Sequence, residues 1–157
     1  MIAPWGGYAV YAVNRCNLHF QIAKQAASGK ATPPALITWE LEIDASSDRG
    51  ADLGVVMGIS AQAREGYDRL DAEKPPLVSS EIRVEIPHPE WNQGPCDGYH
   101  YDYRPAAGYL EWPLRVRQSD PASRGTLVLT PRGTLEAGQR AYLVDRKLGT
   151  AVELAGA

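Results

Sequence analysis

The chain of 157 residues is short of several residue types on which reactive sites depend. It holds two cysteines, three histidines and a single phenylalanine, Phe20. Thiol or imidazole chemistry is therefore confined to a handful of positions. Cys16 and Cys96 stand far apart and match neither a metal knuckle nor a redox CxxC. No apolar run approaches the ~20 residues needed to span a bilayer. Basic residues are no more abundant than acidic ones, 16 against 19, and they are scattered. That pattern excludes the basic footprint of a nucleic-acid binder. Helix-forming stretches are equally scarce. IAKQAASGK (22–30) is stopped by Gly29 and Pro33-Pro34, and SAQAREGYDRLDAEK (60–74) by Gly66 and Pro75-Pro76. The opening MIAPWGGYAVYAV lacks the charged leader of a signal peptide.

What the chain does have is alternation with period two, the mark of half-buried strands. Trp39, Leu41 and Ile43 oppose Glu40 and Glu42. Ile82, Val84 and Ile86 oppose Glu81, Arg83 and Glu85. Trp112, Leu114 and Val116 oppose Arg115 and Arg117. Such strands imply a sheet with one buried and one wet face. Weaker strands are expected at 8–13, 17–23, 53–60, 126–131, 141–145 and 150–154, separated by turns about every ten residues. Four Trp and eight Tyr suit such surfaces. The fold class expected is all-β, an antiparallel β-sandwich of Ig-like, fibronectin-like or jelly-roll topology. The Pro-Pro joints divide the chain into an N-terminal hairpin over 1–30, either a unit of its own or the end of a preceding domain, and a sandwich over 35–157.

The stretch HPEWNQGPCDGYHYDYRP (88–105) carries most of the side chains from which active sites are built. A Cys96–His100 nucleophile would need a base, an orienting partner and oxyanion donors, which the spacing does not supply. No residue is assigned a catalytic role. In YHYDYR, alternation places Tyr99, Tyr101 and Tyr103 on one side and His100, Asp102 and Arg104 on the other. The rings form either an aromatic platform for sugars, with Trp91 and Arg104 nearby, or core packing with an Asp102–Arg104 ion pair. Pro87 and Pro89 make 87–98 a loop anchored by Trp91. For metals, His88, His100 and Asp102 match no ligand set. No cofactor is expected; were a cation bound, calcium is the better candidate, on Asp44, Asp48 and Asp52 around one hairpin or on Asp68 and Asp71 in another loop. The favoured reading is that these aspartates cap turns through their own backbone, since no full EF-hand pattern is present. A Cys16–Cys96 disulfide, if formed, would contribute about 4–5 kcal/mol.

The order of several segments resembles a known module. PWGGYAVY, WELEIDASSDRGADLGVVMGIS, AREGYDRLDAEKPP, IPHPEW, YDYR, a Trp-Pro-Leu-x-Val strand, TLVLTP and AYLVDRKLGTAVEL follow one another over residues 5–154. Together they are similar to the non-catalytic β-sandwich of large secreted and cell-surface bacterial proteins, often found near a C-terminal sorting region. The resemblance implies an extracellular or cell-surface location and a structural, adhesion or assembly role beside neighbouring domains or subunits. It implies no catalytic residues. Polysaccharide is the alternative partner, through the Tyr/Trp face.

Overall fold

The computed structural model describes residues 36–75, 81–91, 93, 97–120 and 122–154. The expected N-terminal hairpin, Cys16 and Cys96 lie outside them. Among the described residues the chain is all-β, with no helix. No helix there is long and apolar enough to cross a membrane.

The strands are β1 (Ile37–Ser47), β2 (Gly50–Ser60), β3 (Ala72–Glu73), β4 (Ile82–Pro87), β5 (Gly98–Arg104), β6 (Arg115–Gln118), β7 (Gly125–Gly133), β8 (Ala141–Asp145) and β9 (Thr150–Leu154). Seven form one sheet, in the order β6-β4-β5-β2-β1-β7, with β3 joined to β5. β8 and β9 form a separate hairpin.

β1 and β2 are a long hairpin closed by Asp48-Arg49, with Ser47 opposite Gly50. A bulge interrupts its register between Ile43 and Ala45. There Gly54 takes a φ of 74°, which a residue with a Cβ adopts only under strain, and its N–H donates to Asp44 Oδ1 at 2.7 Å.

The expectation of purely antiparallel pairing is corrected at one seam. β2 and β5 run parallel, Val56 beside Tyr101 and Ile59 beside Arg104. Parallel neighbours need a long crossover, and residues 61–97 supply it, with β3 and β4 on the way. The sheet also curls, because β4 packs against β1 and β2 without being their ladder neighbour.

Alternation does place the core. Trp39, Leu41, Ile43 and Ala45 of β1, Val55, Met57 and Ile59 of β2, Ile82, Val84 and Ile86 of β4, and Tyr99 are buried together. Leu127 and Leu129 of β7 and Ala141 and Leu154 of the hairpin pack against them.

The charged faces depart from the expected wet surface. Glu85 is only 2% exposed, because Arg83, Arg115 and Arg117 close over it from β4 and β6. Val116, expected on the apolar face with Trp112 and Leu114, is instead exposed, while those two pack against the core.

Candidate functional site

β4 stops at Pro87, whose ring cannot extend a ladder. The loop that follows closes on itself: the His88 N–H donates to Asp97 O at 2.7 Å, and the Trp91 N–H to His88 O at 3.2 Å. This turn presses the imidazole of His88 inward toward β5. On β5, parallel pairing with Met57 and Ile59 sets Asp102 and Arg104 on the core side of the sheet.

The result is a buried ionic centre. Asp102 has no exposed surface. Its Oδ2 receives His88 Nε2 at 2.8 Å and Arg104 Nη2 at 2.8 Å, while Arg104 Nε lies 3.2 Å from both oxygens. His88 Nδ1 meets Glu90 Oε1 at 2.6 Å. Both imidazole nitrogens therefore face carboxylates, an arrangement that calls for the doubly protonated ring.

Burial opposes that charge, but the Asp102 and Glu90 carboxylates outweigh it and raise the His88 pKa. Burial would likewise raise Asp102; its bonds to His88 and Arg104 prevail and hold it below the ordinary carboxylate range. Glu90 is lowered chiefly by its bond to His88.

Aromatic rings roof this centre. Trp91 stacks on His88 with centroids 3.6 Å apart and planes 3° from parallel. Tyr99 meets Trp91 edge-on at 4.7 Å, and Tyr67 lies 5.9 Å from both. Arg104 reaches over Trp112 at 5.4 Å and donates to Glu111 O.

A second ion pair lies nearby in the fold. Lys74 Nζ contacts Asp52 Oδ1 at 2.7 Å with both side chains largely buried, and Asp52 Oδ2 accepts the Val84 N–H. Burial lowers the Lys74 pKa, against the pull of Asp52. Burial, with help from Lys74, also lowers that of His100.

The aspartates weighed as a calcium site, Asp44, Asp48 and Asp52, are not brought together. Asp44 serves the Gly54 N–H, Asp48 accepts from Ser123 Oγ at 2.7 Å, and Asp52 is spent on Lys74 and Val84. Asp68 and Asp71 cap backbone: Asp68 takes the N–H groups of Arg64 and Leu70, and Asp71 those of Asp68 and Tyr103. Among the described residues no group of three or more His, Cys, Asp or Glu is placed to hold a metal ion.

The three-ring platform of Tyr99, Tyr101 and Tyr103 is also broken up. Tyr99 is wholly buried and Trp91 is committed to His88. Tyr101 and Tyr103 alone share the outer face, and Arg104 belongs to Asp102 on the other. His100 does not join Asp102; its ring lies edge-on to Tyr101 at 4.6 Å.

The Asp102–Arg104 pair was foreseeable from alternation. His88 as its third member was not, and the only hint was a histidine bracketed by Pro87 and Pro89. Lys74 gave no signal, since its partner Asp52 comes from β2, and for Glu85 only Arg83 is local while Arg115 and Arg117 come from β6. No protein-family model matches the chain, and no match to it is found among the curated proteins or the solved structures.

Proposed function

We propose that the chain is a non-catalytic β-module with a structural, adhesion or assembly role in a secreted or cell-surface protein, set among neighbouring domains or subunits. One observation carries this reading. The side chains that would do chemistry satisfy one another: Asp102 uses both oxygens on His88 and Arg104, and His88 uses both nitrogens on carboxylates. A general base needs a free lone pair facing substrate, and an imidazolium roofed by Trp91 has none. The centre instead ties the β4–β5 loop to β5. The curl that brings β4 over β1 and β2 is compatible with the layering of an Ig-like or jelly-roll module. The segment order described above supports the surface location.

The test has two arms. The purified chain is assayed against ester, glycoside, peptide and phosphoester substrates, beside His88→Gln and Asp102→Asn. No turnover is expected, and both variants are expected to melt several degrees lower. A hydrolytic activity abolished by either substitution overturns the reading. In the second arm, antibodies against this chain are applied to intact cells carrying the native gene. Labelling without lysis is expected; labelling only after lysis overturns the surface location.

A further inference from the structure

The outer face of the sheet carries a feature that the buried ionic centre does not use. The pairings Tyr103–Gly58, Gly58–Glu40 and Glu40–Arg132 put four residues from β5, β2, β1 and β7 in one line across the sheet. The next line, two residues along, is Tyr101, Val56, Glu42 and Thr130. Two tyrosines thus stand at one end, two carboxylates in the middle, and Arg132 with Thr130 at the other.

The lines are built rather than incidental. A Cβ on Gly58 would lie 2.8 Å from Tyr103 Cε1 and 2.9 Å from Cδ1, so the ring occupies the space a side chain would fill. The Tyr103 hydroxyl donates to Glu40 Oε2 at 3.0 Å. Arg132 Nη1 lies 3.7 Å from Glu40 Oε1, and its other terminal nitrogen contacts Glu42. Tyr101 is 38% exposed. The strip crosses three strand spacings, roughly 14 Å.

We propose that this strip binds an uncharged oligosaccharide. Such a chain presents apolar C–H faces, which stack on aromatic rings, and hydroxyl edges, which need closely placed acceptors and donors. Tyr101 and Tyr103 offer the first. Glu40 and Glu42 offer acceptors with lone pairs beyond those already used, and Arg132 and Thr130 offer donors. Holding Tyr103 in place before binding reduces the entropy lost on complex formation. Two carboxylates against one guanidinium disfavour an anionic polysaccharide. β5, β2 and β1 are paired on both sides and β7 stands at the end of the sheet, so a peptide adding as a strand along β7 would not use Tyr101 or Tyr103.

The experiment is calorimetric titration of the full chain with cellohexaose, mannohexaose and chitohexaose, beside an anionic uronate hexamer and an unrelated peptide. Saturable binding of at least one neutral hexamer is expected. Tyr101→Ala and Arg132→Ala are each expected to weaken it by about tenfold, and Tyr103→Phe by less. Tyr142→Ala, on the exposed face of β8, is expected to leave it unchanged. The inference is overturned if no neutral hexamer binds, if only the uronate or the peptide binds, or if binding ignores Tyr101→Ala and Arg132→Ala in variants that keep the wild-type circular dichroism. Failure here leaves the non-catalytic reading standing, since that reading rests on turnover and surface labelling.

Discussion

At Asp102, one carboxylate with no access to water faces an imidazole and a guanidinium. Two charges taken out of water gain little net stability as a pair, yet removing one partner strands the other. Asp102→Asn is therefore expected to cost about 3–5 kcal/mol in urea unfolding, because His88 and Arg104 lose their shared counter-ion. Tyr99 makes the opposite case. Its hydroxyl is buried and, among the described residues, has no hydrogen-bond partner, while burial pushes its pKa up to about 12. Tyr99→Phe keeps the ring among Trp91, Tyr67 and His88 and removes an unpaired polar atom. It is expected to leave stability unchanged or raise it by up to about 1 kcal/mol in the same assay, and a clear loss would mean that the hydroxyl is satisfied after all.

At the level of strands, what could be read in the sequence was whatever is settled locally. β8 and β9 fall on the expected 141–145 and 150–154, and the polar turn at Asp48-Arg49 joins β1 to β2. Alternation and turn residues decide these within a dozen positions. The parallel β2–β5 seam was not readable, because nothing near Val56 encodes which distant strand will lie beside it. The burial of Glu85 was hidden for the same reason: three arginines on two strands neutralise it. Half of the candidate site shares this fate, with Asp102 and Arg104 evident at spacing i, i+2 and His88 supplied by a loop closure. Gly98 shows how closely the strands were fitted around Glu85. A Cβ there would fall on the Glu85 carboxylate, whereas one on Gly108 would meet nothing within 4 Å. Gly98→Ala is expected to cost about 1–3 kcal/mol, and Gly108→Ala to stay within about 0.5 kcal/mol of wild type. Thermal unfolding of the pair measures the difference.

For the whole molecule, the titrating groups pull the pH dependence of stability in two directions. Stability falls with rising pH wherever the folded state holds more protons than the unfolded one. His88 is raised by its two carboxylates, so its contribution is complete below the ordinary histidine value and is lost as pH rises through the folded one. Asp71 acts in the same sense at lower pH. Burial lifts it from 3.8 to about 6, despite its two backbone N–H bonds and aided by nearby Asp68 and Asp102. Its contribution is complete below 3.8 and gone above about 6. His100 opposes both: lowered by burial and by Lys74, it favours folding above the ordinary histidine value and loses that contribution as pH falls. Urea unfolding across pH 4–8 should therefore respond differently to each substitution. Asp71→Asn removes the decline between pH 4 and 6, although it also forfeits one backbone hydrogen bond, because an amide nitrogen cannot accept the N–H of Asp68 or Tyr103. His88→Gln flattens the decline at and above neutral pH. His100→Gln steepens the decline below the ordinary histidine value, where its opposing contribution is gone. A wild-type profile unchanged by all three would mean that the ionic centre is not coupled to folding, and the structural role assigned to it would fail with that result.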